Sequence, residues 1–277
     1  MTRSYDALLL DLDGTLLADD DTIHPETLAA LRAAHEAGVH VVLATGRSEL
    51  ATQPVLADLG FDALAVVYNG AAVFCPREGR LIEERVLSDR TAKRALEYAE
   101  REQLLVVTMC AGAKYSSPPR DAMEQRAVEG MHGLEVCEGW DLPRERLIRV
   151  TYFTSADDSL AFEDRIRDAM IDPVYTTHFR LALLASHRES PLSVVDLHPP
   201  CLGKAEAVRL LGERHGVPAA RVVAVGDATN DLPMLQAAGL AVGMETSVPE
   251  VTSAVDRVIG SNNSGTIGEL VRELFAV

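Results

Sequence analysis

The apolar residues of this 277-residue chain come in short runs separated by segments with helical spacing, and the alternation of the two defines a fold class. Residues 5–10 form a β-compatible run that ends in Asp11-Leu12-Asp13-Gly14-Thr15, where Gly14 marks a turn. After an acidic loop, Pro25 takes the first position of a predicted helix, Leu28 and Leu31 share one face, and Gly38 supplies the stop. Residues 39–44 are continuously apolar, the pattern of a strand buried on both faces of a parallel sheet, and they end in Thr45-Gly46-Arg47 ahead of a second helical segment. Residues 63–68 repeat the pattern and end at Asn69-Gly70. Strand and helix alternating over short connections predict a doubly wound α/β core built on a parallel sheet.

The grammar then changes. Residues 73–75 and 81–86 flank Pro76-Arg77-Glu78-Gly79, which reads as a hairpin. A separate α/β stretch follows, with helices expected at 89–102 and 157–169 and strands at 104–109, 147–153, 181–185 and 192–197. Turn-rich pieces such as Ser116-Ser117-Pro118-Pro119 lie between them. From Gly203 the first pattern resumes: a helix to His215 stopped by Gly216, a strand over 222–225, then Gly226-Asp227 and another helix. The expected organisation is a core of 1–87 and 191–277 with an α/β domain of 88–190 inserted in it.

Composition sharpens this picture. With 47% hydrophobic and 25% charged residues the chain has the makeup of a soluble globular protein. The net charge of −16 argues against nucleic acid and anionic membrane as partners. That charge divides as −12 on the core segments and −4 on the insert, which carries 14 of the 26 basic residues. No apolar run approaches the roughly 18 residues of a membrane span, and MTRSYD has none of the features of a secretory signal, so a cytoplasmic location is expected. Cys75, Cys110, Cys137 and Cys201 form no C-x-x-C pair and read as reduced thiols. Monomer and homodimer are both compatible with the sequence.

Ligands in open α/β sheets bind at the carboxyl ends of the strands. Asp11 and Asp13 stand there after the first strand, Thr45 after the second, Asn69 after the third, and Asp227, Asn230 and Asp231 after the later one. Acidic groups converging on one edge repel one another unless a cation sits among them. Oxygen ligands without His or Cys point to Mg²⁺.

Asp11-Leu12-Asp13-Gly14-Thr15-Leu16, Thr45-Gly46-Arg47, Lys204 and Gly226-Asp227-Ala228-Thr229-Asn230-Asp231 resemble the four ordered motifs of the haloacid dehalogenase superfamily. More narrowly, the chain resembles the Cof-type class IIB sugar phosphatases. The resemblance implies a Rossmann-like core with an inserted α/β cap of type C2B, and a Mg²⁺-dependent phosphomonoester hydrolase acting on a small phosphorylated metabolite. Asp11 matches the nucleophile that forms an aspartyl-phosphate, and Asp13 the acid/base. Mg²⁺ would be held by Asp11, the Asp13 carbonyl and Asp227, with Asp231 in the metal set and Asn230 reaching substrate. Thr45, Gly46, Arg47 and Lys204 would hold the phosphate. The family often has glycine or serine and then an acidic residue where this chain has Ala228-Thr229.

Blander roles compete at some positions. Thr45 could cap a helix, Arg47 could sit on a surface, Asn69 could only make a turn, and Asp19-Asp20-Asp21 reads as a hydrated loop. His24, His178, His187 and His198 have no place in the implied mechanism, although His187 and His198 could face substrate; Lys114 and Tyr115 are further candidates for specificity. Two other functions stay open: a phosphomutase of the same superfamily, which returns the phosphoryl group to sugar, and a non-catalytic phosphorylatable or ligand-binding module, which would not need Asp13 or a cap.

Overall fold

A computed structural model describes residues 4–183 and 187–277. In chain order, β1 (Ala7–Leu10), α1 (Pro25–Glu36), β2 (His40–Ala44), α2 (Glu49–Leu59), β3 (Leu64–Val67), β4 (Ala72–Cys75) and β5 (Arg80–Glu84) open the fold. Then come α3 (Asp89–Arg101), β6 (Val106–Cys110), β7 (Ala113–Ser116), α4 (Ala122–Val128), β8 (Leu134–Val136), β9 (Arg149–Ser155), α5 (Ser159–Ala169), β10 (Tyr175–Arg180) and β11 (Leu192–His198). The chain closes with α6 (Glu206–His215), β12 (Val222–Gly226), α7 (Leu232–Ala237), β13 (Leu240–Met244), α8 (Pro249–Thr252), β14 (Arg257–Ile259) and α9 (Thr266–Phe275).

Two compact units result, Met1–Glu83 with Leu202–Val277, and Glu84–Cys201. The first holds an eight-stranded sheet in the order β14-β13-β12-β1-β2-β3-β4-β5. Its central pairings are parallel, whereas β4 runs antiparallel to β3. Ala7, Leu9, Val42 and Ala44 pack with Leu210 and Leu211 of α6 and Met234 and Leu235 of α7. Leu8, Leu10, Val41 and Leu43, which alternate to the other face, are equally buried. Burial on both faces is why these strands read as unbroken apolar runs. The chain builds outward from β1 first through β2 and β3 and later through β12 and β13, so the ends of β1 and β12 meet at the switch point of the sheet.

The second unit is a six-stranded sheet in the order β10-β11-β9-β6-β7-β8, antiparallel except for β7 beside β8. Ala95, Leu96 and Ala99 of α3 and Phe162 and Ile166 of α5 pack on Val106, Val150, Tyr152, Val195 and Leu197. Two details differ from the sequence reading. The return to the core falls at 202 rather than 191, because β11 hydrogen-bonds to β9 and β10 and so lies with the second unit. The strand expected at 181–185 is displaced to Tyr175–Arg180, followed by a 3₁₀ turn over Leu181–Leu183; 184–186 lie outside the described residues. The pairing of β10 with β11 outweighs the apolar run there, and a half-buried edge strand carries little hydrophobic signal.

Candidate active site

Every core residue singled out in the sequence lies in the first unit. Asp11 leaves the end of β1, and its N–H donates to the carbonyl of Val225 in β12 at 3.1 Å, which ties the two strand ends together. Gly14 follows with φ +78°, and a Cβ there would lie 2.5 Å from Asp227 Oδ2. Only glycine takes this left-handed turn freely and also admits the Asp227 carboxylate. Thr15 donates from Oγ1 to Asp227 Oδ1 at 2.9 Å. At Gly226 a Cβ would meet Asp231 Cβ and Cγ at 2.6 Å, so the missing side chain makes room for the 3₁₀ turn Thr229–Asp231.

At the centre is Lys204, in the 3₁₀ turn Gly203–Ala205 ahead of α6 and 1% exposed. Its Nζ donates to Asp11 Oδ1 and to Asp231 Oδ1, each at 2.6 Å. Asp231 Oδ2 accepts from the N–H groups of Asp227 and Ala228, both at 2.9 Å. Ligand atoms of Asp11, Asp227 and Asp231 all lie within 4.8 Å of one another, a cluster that could hold a metal ion. Burial opposes the charge on Lys204, but Asp11 and Asp231 outweigh it and hold the ammonium above its usual range. Burial, with Asp231 beside it, pushes the Asp11 carboxyl well up despite Lys204. Burial and Asp231 likewise raise Asp227 to about 6, against the hydrogen bond from Thr15. Three carboxylates face one ammonium, and repulsion among the carboxylates adds to the burial that raises Asp11 and Asp227.

Asp13 stands at the rim, its side chain 40% exposed, and receives a fork from Arg47. Nε donates to Oδ2 at 3.0 Å and Nη2 to Oδ1 at 2.5 Å. Arg47 Nη2 also reaches Asp21 Oδ1 at 2.9 Å. Thr45 is fully buried, and its Oγ1 accepts from the Arg47 N–H at 3.0 Å; the side chain capping α2 is Ser48 instead. Asn69, buried at φ 51°, accepts at Oδ1 from Asn230 Nδ2 at 3.0 Å and donates its N–H to the Thr45 carbonyl at 3.0 Å, so it links loops as well as turning the chain. A Cβ at Gly46 would meet the Asn69 amide at 3.2 Å.

The sequence assigns no functional role to Thr15 or Asp21, nor to the support that Asn69 gives Asn230. Thr15 had a signal, the last place of Asp11-Leu12-Asp13-Gly14-Thr15, whereas Asp21 had only an acidic run around it. Of the remaining candidates, His24 belongs to the first unit and the others to the second. His24 caps α1 with its ring nitrogen. Lys114 is buried on β7, Tyr115 packs on the helix side of the second unit, His178 lies 3.6 Å from Glu163, and His187 is half-buried. His198 is fully buried on β11.

Residues 8–271 match the family of haloacid dehalogenase-like hydrolases, and the chain belongs to it. YxeH of Bacillus subtilis is 28% identical, with 98% of each chain covered. The 5-amino-6-(5-phospho-D-ribitylamino)uracil phosphatase YitU of Bacillus subtilis is 25% identical over 100% of this chain and 99% of its own. The haloacid dehalogenase subclass IIB sugar phosphatase BT4131 shares the fold, with a TM-score of 0.80 at 18% identity over 98% of this chain and 100% of that one. The protein is therefore a hydrolase of the haloacid dehalogenase class, α/β in fold, and named phosphatases are among its full-length relatives. Among the described residues no helix is long and apolar enough to cross a membrane.

Proposed function

We propose that the protein is a Mg²⁺-dependent phosphomonoester hydrolase that works in the cytoplasm on a small phosphorylated metabolite of the sugar-phosphate class, through an aspartyl-phosphate on Asp11. The observation that carries this reading is the meeting of Asp11, Asp227 and Asp231 around a buried lysine at the carboxyl edge of the sheet. The phosphoribityl substrate in the name of YitU and the sugar phosphatase activity ascribed to BT4131 support the substrate class.

The site fits Mg²⁺ because its donors are carboxylate oxygens in excess of the cation that meets them, Lys204. Asp11, Asp227, Asp231 and the backbone carbonyl of Asp13 are the residues that would hold it. When bound, the ion supplies neutralising charge to the phosphate and to the Asp11 carboxylate.

The chain's own groups supply the rest. Lys204 holds one oxygen of Asp11 and so orients the carboxylate for in-line attack on phosphorus. As the Asp11–phosphorus bond forms, the bond to the alcohol oxygen breaks and Asp13 gives that oxygen a proton. In the second step Asp13 takes a proton from the water that attacks phosphorus, releasing inorganic phosphate and restoring Asp11. Thr45 Oγ1 accepts from the Arg47 N–H, which leaves its own proton for a phosphoryl oxygen. Gly46 brings backbone close to the same phosphate, and Asn230, held by Asn69, lies within reach of substrate.

The test is phosphate release from about 100 phosphorylated metabolites. Wild-type protein releases phosphate from a subset of them with Mg²⁺ and without a bisphosphate activator, loses that activity in EDTA and regains it with Mg²⁺. Asp11→Asn stays folded and inactive, a loss on the order of 10⁴-fold or more. Indifference to chelation removes the metal role, and ordinary turnover by Asp11→Asn removes the nucleophile.

A further inference from the structure

The acidic loop after β1 is a built turn. Leu17 bridges Ile23, the Ala18 N–H donates to the Thr22 carbonyl at 2.8 Å, and the Asp21 N–H donates to the Ala18 carbonyl at 3.0 Å. Asp20 is occupied locally, accepting from both the N–H and the hydroxyl of Thr22. From the far end of the chain, Asn262 Nδ2 donates to the Leu17 carbonyl at 2.9 Å, and Asn263 Oδ1 accepts from the Asp19 N–H at 2.9 Å. The turn leaves Asp21 at φ 62°, a conformation uncommon for a residue with a side chain, and sets its carboxylate on Arg47. Arg47 thus lies between two carboxylates, one edge on Asp13 and its outer nitrogen shared with Asp21.

We propose that Asp21 is a positioning residue, bracing Arg47 so that its fork holds the Asp13 carboxyl in one orientation for proton transfer. This rests on the phosphohydrolase reading of the same site. Asp13 must serve two partners at one place, first the leaving oxygen and then the attacking water, and packing covers only part of a rim side chain that is 40% exposed. A planar guanidinium fixes a carboxylate in plane and in distance. A guanidinium without a second anchor is drawn instead to the incoming phosphate. Asp21 keeps it on Asp13.

Two substrates of nearly one shape separate this role from phosphate binding. p-Nitrophenyl phosphate has a leaving group stable as an anion and needs little proton donation; phenyl phosphate needs it. The comparison uses kcat/KM, which reports the step that forms the aspartyl-phosphate. Asp21→Asn keeps the turn, since Asn tolerates positive φ, and Asp21→Gly removes the side chain without strain. With either, kcat/KM for phenyl phosphate falls about fivefold and that for p-nitrophenyl phosphate stays within about twofold, a size set by one exposed ion pair. Arg47→Ala widens the same gap to at least about tenfold. Equal losses on both substrates, or no loss on either, overturn the assignment while leaving the hydrolase intact. A wild-type protein that releases phosphate from neither, nor from any metabolite, removes the hydrolase reading and this inference together.

Discussion

Lys204 is a fully buried ammonium serving two carboxylates at 2.6 Å each. Its removal leaves Asp11 and Asp231 buried without their counterion, a situation that costs about 3–5 kcal/mol when one partner of a buried pair is lost. Lys204→Met therefore lowers the unfolding free energy by that amount in urea titrations at neutral pH; a change under ~1 kcal/mol would mean that the pair contributes little. Lys204→Arg does not restore activity, because a flat fork cannot fill a slot shaped for a point charge between two carboxylates. This slot was legible in the sequence, since a lysine stands 23 positions before Asp227 in a chain with only three lysines. The brace from Asp21 was not, because an acidic run in a loop has the same composition whether it is solvated or paired with Arg47, 26 positions away.

At the scale of elements, strand β11 carries a feature that pH can address. His198 is fully buried, and its ring nitrogens have no hydrogen-bond partner among the described residues. Burial, aided by Arg149, holds its pKa well below the usual 6.5. The folded protein thus keeps this imidazole neutral while the unfolded chain takes a proton, so the stability His198 permits above pH 6.5 is lost as pH falls through that value. The loss reaches up to about 1.4 kcal/mol per pH unit. Asp11, Asp196 and Asp227, all raised in the fold, act with the opposite sign, so the comparison is between wild type and His198→Leu. The variant loses less stability between pH 6.5 and 5 in denaturant titrations; identical slopes would show that His198 ionises inside the fold. Burial also explains what was legible among the elements. Val222–Gly226 and His40–Ala44 are buried on both faces and read as apolar runs, whereas Tyr175–Arg180 and Leu134–Val136 sit at the edges of their sheet with polar and half-buried positions that periodicity does not separate from loop.

At the scale of the molecule, the site was legible because four short motifs each sit at a strand end or in a turn beside one, and the switch point of the sheet brings Asp11, Lys204, Asp227 and Asp231 together from positions 11 to 231. The insert hid its return point because β11 is buried along its whole length like a core strand, and its pairing assigns it to the second sheet. Two units with separate hydrophobic cores, one holding all the candidate metal ligands, make a prediction about the whole chain. A ligand stabilises only the part of the protein whose folding it needs, by about 2.7 kcal/mol at a hundred times its Kd. In calorimetry of the full chain, Mg²⁺ raises the transition of the first unit by several degrees and leaves that of the second in place. Asp227→Asn abolishes the shift, because it removes a carboxylate from the acidic cluster while the Lys204 contacts with Asp11 and Asp231 persist. A shift of equal size in the variant would place the ion elsewhere, and a shift of both transitions together would mean that the two units unfold as one.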